Sequence, residues 1–502
     1  MAGFLLLDRC NALPSIANRT SSHVLAETRG TRLERAVTPL LLTHPGLSGI
    51  HAIRDARDAF AARCLLASAA ERTLDVQYYI WRNDLSGTLL MKALLDAADR
   101  GVRVRLLLDD NNTAGLDAAI AAIDSHPRIE VRLFNPFVIR KPRLAGYLTD
   151  FSRLNRRMHN KSFTADNQAT VVGGRNVGDE YFGATDGVLF ADLDVIGIGP
   201  VVNEVSSDFD RYWASESSYP VDRLLPSARP EAIRELAAKA ARVAREPAAV
   251  AYVNAVHESA FVHDLIARTL PLEWATARLV SDPPAKALGR ARRDELLTRQ
   301  FGRIFGTPHK NVDLVSPYFV PGERGVELFR GWRKQGVAVR VLTNALEATD
   351  VAVVHAGYAR RRRDLLAAGV TLYELRSGAP AAKPVRMSGS FGSSGSSLHA
   401  KTFAVDGARL FVGSFNFDPR SAELNTEMGF VIDSPQLARG MTNVFDKDVP
   451  PNAFEVELHD GEPEWIERRG SAVVRHRTEP GTSFWTRLGV TLLSWLPIEP
   501  LL

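Results

Sequence analysis

A chain of 502 residues is longer than one hydrophobic core usually supports, so we expect two domains or two fused halves. Its composition, 45% hydrophobic and 24% charged, excludes a disordered chain, and a net charge of +4 does not by itself demand a nucleic-acid partner. Two cysteines, Cys10 and Cys64, exclude a disulfide scaffold and a zinc site built from cysteine alone. Since no segment reaches roughly 20 apolar residues, no transmembrane helix is predicted.

Residues 1–45 are predicted to form an extended N-terminal segment. A short apolar run precedes Cys10, but Asp8 and Arg9 stand where a lipoprotein signal would have small residues. We interpret this start as an ordinary flexible terminus, with a truncated or decayed export signal as the alternative.

An internal repeat then organises the chain, because four segments of the first half recur in order in the second half. His159 and His399, and likewise Asn176 and Asn416, are separated by 240 residues. The matching segments are TLDVQYYI (73–80) with NVDLVSPYFV (311–320), GVRVRLLLDD (101–110) with GVAVRVLTNA (336–345), IEVRLF (129–134) with VTLYEL (370–375), and MHNKSFTADNQATVVGGRNV (158–177) with LHAKTFAVDGARLFVGSFNF (398–417).

Each repeat unit is typical of strand, helix, strand, helix, strand and then a hairpin. Apolar residues at helical spacing predict a helix over 86–101, ending on a glycine, with a counterpart at about 323–335. This alternation predicts an α/β protein: two similar sandwich halves with mixed sheets, related by a pseudo-twofold axis, with one site at their interface. The predicted halves are 46–247 and 248–450, a C-terminal extension covers 451–502, 227–247 is a helical connector, and 388–397 is a flexible Gly/Ser loop.

The last pair of repeat segments carries the chemistry. Leu398–Phe403 is predicted as a strand, which would put His399 and Lys401 on one face. Asp406-Gly407 predicts a hairpin turn that returns the following Gly-Ser-x-Asn stretch to the same place. The first half repeats this pattern with His159, Lys161, the Asp166-Asn167 turn and Gly173–Asn176.

These residue types suit phosphodiester transfer. A histidine can act as nucleophile or general acid, a lysine holds a phosphoryl oxygen, and an asparagine amide adds a neutral donor. Two such sets around one phosphate support a two-step displacement that requires neither a metal nor a cofactor. The candidate catalytic residues are His159, Lys161, His399 and Lys401, and the candidate phosphate-binding residues are Asn176, Asn416 and Ser414.

Each imidazole should be oriented by a carboxylate, as in a catalytic triad. An acid precedes a hydrophobic strand downstream of each motif, at Asp192 in the first half and at Glu427 in the second. We therefore pair Asp192 with His159 and Glu427 with His399, with Asp194 as the reserve choice in the first half. The alternative is that these carboxylates are ordinary surface acids.

With these residues the chain resembles the phospholipase D superfamily. Its H-x-K-x4-D-x6-G-[SG]-x-N signature is met twice in order, and the signature counts Asp166 and Asp406 among the site residues, although their turn positions favour a structural role. Stretches such as LDVQYYIW (74–81), GGRNVGDEYF (173–182), SPYFVPG (316–322) and LPIE (496–499) are similar to bacterial cardiolipin synthases of the C type. The resemblance implies a phosphohistidine mechanism with His159 as nucleophile and His399 as acid.

The resemblance further implies a phosphatidyltransferase acting on phospholipids. Phosphatidylglycerol is the expected substrate, with phosphatidylethanolamine as a second candidate. The alternative is a phospholipase D-type phosphodiesterase that hydrolyses phospholipids or, less favoured, nucleic acid. A non-catalytic membrane-binding protein is disfavoured because both histidines and both lysines are present. The enzyme is expected peripherally on the bacterial inner membrane, the alternative is a soluble cytoplasmic or periplasmic protein, and the oligomeric state stays open.

Three groups of residues allow two interpretations each. Arg140, Lys141, Arg143, Arg153, Arg156 and Arg157 form either a solvated face or an attractor of anionic lipid. The apolar tail 484–502 either lies in a membrane interface or closes the core. Tyr78, Tyr79, Trp81 and Tyr318 could line the pocket, but core packing is favoured.

Overall fold

The computed structural model describes residues 13–25, 27–185, 189–349, 351–377, 397–496, 499 and 502. Three predicted features lie wholly or partly outside these residues: the terminus with Cys10, the Gly/Ser loop up to residue 396, and part of the LPIE stretch. The strands are β1 Ser48–Ile53, β2 Thr73–Ile80, β3 Arg103–Asn112, β4 Ile129–Phe134, β5 Ser162–Ala165, β6 Ala169–Gly173, β7 Phe190–Ala191, β8 Asp194–Ile198, β9 Ser218–Pro220, β10 Glu273–Ser281, β11 Asn311–Val315, β12 Ala338–Asn344, β13 Thr371–Leu375, β14 Ser397–Leu398, β15 Thr402–Val405, β16 Arg409–Gly413, β17 Met428–Asp433, β18 Ala453–His459, β19 Glu462–Arg469 and β20 Ala472–His476.

The helices fill the connections between these strands. They are α1 Arg32–Thr43, α2 Ala56–Ala69, α3 Leu85–Asp99, α4 Asp117–Asp124, α5 Leu144–Leu154, α6 Asp179–Phe182, α7 Pro200–Trp213, α8 Ala232–Val243, α9 Pro247–His257, α10 Ala260–Ala267, α11 Leu297–Phe305, α12 Gly322–Lys334, α13 Ala352–Ala367, α14 Pro419–Glu423, α15 Pro435–Asn443, α16 Val449–Asn452 and α17 Phe484–Ser494. No helix in the described part of the chain combines the length and apolar character that a membrane span needs.

The predicted repeat appears as one continuous mixed sheet of 18 strands among the described residues. Antiparallel pairing of β1 with β10 joins the two halves edge to edge. Outward from β1 the neighbours are β8, β6, β5, β2, β3, β4 and β9, and outward from β10 they are β17, β16, β15, β11, β12, β13 and β18. Because the equivalent strands follow in the same order on both sides, the predicted fold of two similar α/β halves is confirmed.

Helices cover both faces of this sheet and supply its core. In the first half, α2 and α3 pack their buried faces, including Phe60 and Leu94, on the strands. On the opposite face, α7 buries Val201 and Val205 in a cluster that also contains Val412 and Phe430 of the second half. The junction between the halves is therefore a packed apolar core, which fixes the two motifs relative to each other.

The helix predicted over 86–101 is α3, and its ends follow ordinary capping rules. Asp84 caps the start by accepting the backbone N–H of Gly87 at 2.9 Å. Gly101 follows the end with φ +96°, a conformation that favours glycine. Its predicted counterpart is α12, which is followed by Gly336 with φ +85°.

Two predictions about the segments outside the repeat need correction. The segment 1–45 is not extended throughout, because α1 forms over Arg32–Thr43 with the Thr31 hydroxyl as its N-cap. Helix α9 packs on the first half, although the predicted boundary assigns it to the second. Its Tyr252 contacts Phe60, with ring centroids 5.4 Å apart, and donates a hydrogen bond to the carbonyl of Phe182.

Candidate active site

The two predicted hairpins position the motifs. Strand β5 pairs with β6, and β15 pairs with β16. The turn residues Asp166 and Asn167 have φ of +50° and +51°, and Asp406 and Gly407 have φ of +57° and +59°. Two successive positive φ angles are what a tight two-residue hairpin turn requires, so the turn prediction is confirmed in both halves.

The continuous strand predicted over Leu398–Phe403 is wrong at the motif itself. Pairing stops after Leu398 and resumes at Thr402. In between, the backbone N–H groups of His399 and Ala400 both donate to the carbonyl of Ala191, at 2.8 and 3.0 Å. The chain leaves the ladder here because these donors are satisfied by the other half of the molecule.

Each histidine is held by a carboxylate of the opposite half. His159 Nδ1 lies 2.8 Å from Glu427 Oε2, and His399 Nδ1 lies 2.6 Å from Asp192 Oδ2. Asp192 and Glu427 therefore each contact a histidine, but the pairing predicted within each half is wrong, and the orienting role stays a prediction. Asp194, the reserve choice, instead forms a buried ion pair with Arg63 at 2.9 Å.

Backbone pairing between the halves explains why each acid contacts the histidine of the opposite half. Met158 forms a parallel bridge with Thr426, and the N–H of His159 donates to the Thr426 carbonyl at 2.9 Å. In the same way, β14 pairs in parallel with β7, so that Leu398 lies opposite Ala191. The residue after each bridge is the histidine on one chain segment and the acid on the other, so the two side chains meet across the interface.

The lysines and asparagines of both motifs are buried beside the histidines. Lys161 Nζ donates to the His159 carbonyl at 2.6 Å, and Lys401 Nζ donates to the His399 carbonyl. Asn176 accepts the backbone N–H of Ile80 at 3.2 Å, while its Nδ2 has no hydrogen-bond partner among the described residues. Among the described residues, Oδ1 of Asn416 also has no hydrogen-bond partner.

Burial dominates the electrostatics of the site. It lowers the pKa of His159 well below its ordinary value, and the charges of Lys161 and Lys401 lower it further. Burial also lowers the pKa of His399, to about 4, and Lys401 adds to this while Asp192 opposes it. Burial also lowers the pKa of Lys161, to about 7, and the charge of Lys401 lowers it further. Positive charge in this desolvated site therefore favours neutral imidazoles and attracts an anion.

The two acids respond differently to burial. Burial raises the pKa of Glu427 to about 7, against the charge of Lys161 and the hydroxyl of Ser414. Burial also acts to raise the pKa of Asp192, but the His399 ring and the charge of Lys401 outweigh it, so this pKa is lowered. The two histidine–carboxylate pairs thus have similar geometry, but Glu427 is more easily protonated than Asp192.

The motif aspartates were included among the catalytic candidates, and the structure corrects this. The Asp166 carboxylate accepts the backbone N–H groups of Glu71, Arg72 and Thr73, at 3.0, 2.7 and 2.9 Å. Asp406 does the same for the three residues His309, Lys310 and Asn311. Both carboxylates tie a hairpin turn to the start of a neighbouring strand, and their acceptor capacity is used there.

Ser414 also has a different role from the predicted one. Its hydroxyl donates to Glu427 Oε2, so it supports the acid. A second hydroxyl, Ser421 Oγ, donates to Glu427 Oε1 at 2.8 Å. The sequence reasoning missed Ser421, since a serine in the short segment between motif and acid has no distinguishing pattern.

Aromatic rings line the two histidines, although core packing was the favoured prediction for the tyrosines. Tyr79 stands edge-on to His159 with ring centroids 4.9 Å apart. Tyr181 and Phe190 approach His399 at 5.1 and 5.0 Å, and neither was singled out from the sequence. For Tyr78 and Trp81 the favoured prediction is confirmed, since both are fully buried in the core.

The basic cluster before the first motif is mostly neutralised. Arg140 and Arg143 form ion pairs with Asp110 and Asp117, Arg153 with Asp150, and Arg157 with Asp109. The Asp109 carboxylate also accepts the N–H of Met158 at 2.8 Å. These arginines therefore brace the motif segment, and they do not form an open basic patch.

Comparison with known proteins identifies the family of the chain. The family model described as "Cardiolipin synthase, PLD-like domain" matches twice, over residues 63–213 and 303–449. The chain belongs to the cardiolipin synthase family of phospholipase D-like proteins. The two matched ranges contain one motif each, as the repeat predicts.

Individual relatives support the same assignment. Cardiolipin synthase C of Escherichia coli K12 is 51% identical over 472 residues, which cover 94% of this chain and all of the relative. The major cardiolipin synthase ClsA of Bacillus subtilis is 25% identical over 84% of this chain and 73% of its own length. Phosphatidylserine synthase of Haemophilus influenzae has a similar fold, with a TM-score of 0.54 at 13% identity over 82% of this chain and 91% of that one.

Family membership makes the protein an enzyme that transfers phosphatidyl groups between phospholipids. Phospholipid substrates fit a site with two lysines, two histidines and two asparagine amides buried together.

Proposed function

We propose that the protein makes cardiolipin by moving a phosphatidyl group through a phosphohistidine intermediate. The observation that carries the proposal is the pair of histidines that each contact a carboxylate through Nδ1. A carboxylate that accepts the Nδ1 proton leaves the Nε2 lone pair of a neutral imidazole free to attack or to accept a proton. One imidazole can then attack phosphorus while the other transfers protons.

In the first step, His159 Nε2 forms a bond to phosphorus and the bond to the departing headgroup oxygen breaks. Protonated His399 gives its proton to that oxygen and becomes neutral. In the second step, a glycerol hydroxyl of phosphatidylglycerol gives its proton to His399 and attacks phosphorus. The bond from phosphorus to His159 breaks, and both imidazoles return to their starting states.

The surrounding groups fit these roles. We assign Lys161, Lys401, the unpartnered Nδ2 of Asn176 and the amide N–H of Asn416 to the phosphoryl oxygens and the charge that develops on them. Burial lowers the pKa of His399 to about 4 against the charge of Asp192. An anionic phosphodiester bound beside the ring would raise this pKa, so that the imidazole can carry the catalytic proton.

The assignment of nucleophile and acid follows the charge of the two carboxylates. Asp192 has a lowered pKa and stays ionised beside His399, which favours the protonated imidazole. The pKa of Glu427 is raised to about 7, and its carboxylate also accepts hydrogen bonds from Ser414 and Ser421. Glu427 therefore stabilises a protonated His159 less than Asp192 stabilises a protonated His399. A neutral imidazole is the nucleophile, which agrees with the role that the family resemblance gives His159.

We further propose phosphatidylglycerol as the acceptor, with phosphatidylglycerol or phosphatidylethanolamine as the donor. Both substrates lie in a bilayer, so the enzyme is expected to act peripherally on the bacterial inner membrane. Donors are distinguished by the headgroup released, which is glycerol in one case and ethanolamine in the other.

Product analysis with purified enzyme and vesicles of phosphatidylglycerol and phosphatidylethanolamine tests the proposal. Wild-type enzyme should give cardiolipin together with glycerol or ethanolamine, and His159→Ala should lower the rate by about ten-thousandfold or more. His257→Ala, at an exposed helical position outside the site, is the control and should keep full activity. Phosphatidic acid as the main product would replace transfer by hydrolysis, and full activity of His159→Ala would remove the proposed mechanism.

A further inference from the structure

Helix α5 carries an apolar face that no described part of the chain covers. Leu144, Leu148 and Phe151 are 75%, 87% and 51% exposed. Leu144 and Leu148, four residues apart, lie on one side of the helix, and Phe151 follows a backbone kink at Asp150 (φ −146°, ψ 45°). The other side holds the helix in place, since Gly146 and Leu154 are buried and the Tyr147 hydroxyl donates to Asn111 at 2.8 Å. A fixed helix with three uncovered large apolar side chains is unusual on a protein surface that faces only water.

The C-terminal helix α17 has the same property. Its inner side packs on α13, where Val490 belongs to a buried cluster with Leu346 and Ala356. Its outer side and the residues after it expose two tryptophans and four other large apolar side chains. These are Phe484, Trp485, Leu488, Leu492, Trp495 and Leu496.

Arg420 links the end of α5 to the active site and also contacts Leu502, beside the helix on which α17 packs. Its guanidinium donates to two oxygens of Asn155, the residue that follows α5. These are the backbone carbonyl, at 2.8 Å, and the side-chain Oδ1. The backbone N–H of Arg420 donates to the carbonyl of Leu502 at 2.7 Å, and Leu502 lies against Gly357 of α13, the helix on which α17 packs. The next residue is Ser421, which supports Glu427. Helix α5 is therefore anchored to the segment that orients His159, and α17 packs on α13, which Leu502 contacts beside this segment.

The charges around the two helices match an anionic surface. Residues 480–496 contain Arg487 and no acidic residue. On α5 the Asp150 carboxylate is paired with Arg153 at 2.6 Å, and exposed Lys141 precedes the helix. On α17, the flanking acids Glu479 and Glu499 are paired with Arg362 and Arg361. An apolar face with tryptophans at its ends and no unpaired acid beside it is typical of a segment that lies in a bilayer interface.

We propose that α5 and α17, here called the docking helices, insert their exposed apolar faces into the headgroup region of an anionic phospholipid bilayer. The inference rests on the phospholipid substrates of the proposed function. Insertion at both helices brings lipid to the chain segments that end in His159 and Glu427. Because most of the neighbouring arginines are already paired, apolar insertion provides the larger part of the binding, and cations provide the smaller part.

Vesicle binding by the full-length enzyme tests this directly. Leu148→Ser with Phe151→Ser, and separately Trp485→Ser with Trp495→Ser, should each weaken binding to phosphatidylglycerol vesicles at least tenfold in a cosedimentation assay. Leu42→Ser is the matched control, since Leu42 is 77% exposed on α1, and it should bind as the wild type does. Wild-type binding should persist at 0.5 M NaCl, because apolar insertion is not screened.

Activity in two substrate forms separates docking from chemistry. The docking variants should lose cardiolipin synthesis on vesicles in proportion to binding and keep the wild-type rate on short-chain phosphatidylglycerol in detergent micelles. Unchanged vesicle binding would overturn the proposal. So would a wild-type dimer that becomes monomeric in the variants on gel filtration, since the faces would then cover a second copy. Loss of vesicle binding with hydrolysis as the wild-type reaction would keep the docking surface and refute only the proposed function.

Discussion

The two histidine–carboxylate pairs share one backbone arrangement and differ in what surrounds the acid. In the second half, Ser414 and Ser421 donate to Glu427. The residues 240 positions earlier are Gly174 and Tyr181. Gly174 lies so close to Asp192 that a Cβ there would be 2.1 Å from Oδ1, and Tyr181 packs its ring on His399.

This difference shows how a repeat can divide labour within one site. The crossed pairing gives each histidine the same orientation, but the two acids differ in charge. Burial raises the pKa of Glu427 to about 7 in spite of its two hydroxyl donors, whereas His399 and Lys401 outweigh burial at Asp192 and lower its pKa. The two imidazoles are therefore geometric equivalents with different tasks.

Removing one histidine at a time should have the largest effect on activity and should show whether the two histidines have different roles. With phosphatidylglycerol, His399→Ala should lose roughly a thousandfold in rate, because the leaving alkoxide needs a proton. With a p-nitrophenyl phosphatidyl ester, whose leaving group needs none, the same variant should release one equivalent of nitrophenolate per enzyme in a rapid burst and then stall at the phosphohistidine. His159→Ala should give no burst with this ester. A burst from His159→Ala and none from His399→Ala would exchange the two roles.

Removing one of the two hydroxyl groups that donate to Glu427 should have a smaller effect and should show what sets the charge of this acid. Donation by Ser421 stabilises the ionised carboxylate and lowers its pKa, so Ser421→Ala raises that pKa above about 7. Activity that needs ionised Glu427 is lost as pH falls through its pKa, so the acidic limb of kcat/KM should move up by about half to one pH unit. The measurement is a pH profile in detergent micelles.

The control for this shift is another buried serine. Ser206 donates to Asn167 at 2.7 Å in the first half, away from Glu427, so Ser206→Ala should leave the acidic limb unchanged. An unchanged profile in Ser421→Ala would mean that the serine only packs in place and does not set the charge of Glu427.

The sequence predicted much of this site because its signals are local. The repeat, both Asp-Gly or Asp-Asn hairpin turns and the helix ending at Gly101 depend on neighbouring residues, and each is present. The acids Asp192 and Glu427 could also be named, because each precedes a hydrophobic strand. Local patterns were sufficient to find which residues matter.

Which acid serves which histidine could not be predicted in this way. His159 and Glu427 are 268 residues apart, and their contact depends on the bridge between Met158 and Thr426. This bridge requires the two halves of the sheet to pair along β1 and β10 and to bury a shared apolar core. Proximity in sequence favoured pairing within each half, and tertiary structure decided otherwise.

The motif aspartates allow a last comparison between the halves, with an effect on stability and little on catalysis. Asp166 is fully buried and accepts three backbone N–H groups, whereas the bonds of His309 and Lys310 to Asp406 are exposed and that of Asn311 is part-buried. Asparagine tolerates the positive φ at both positions, so Asp166→Asn and Asp406→Asn isolate the loss of charge. We expect Asp166→Asn to lower the free energy of unfolding by about 1–3 kcal/mol and Asp406→Asn by less than about 1 kcal/mol, measured by urea unfolding. Both variants should keep the wild-type kcat and pH profile while folded. A variant of wild-type stability that has lost turnover would return these carboxylates to the catalytic set.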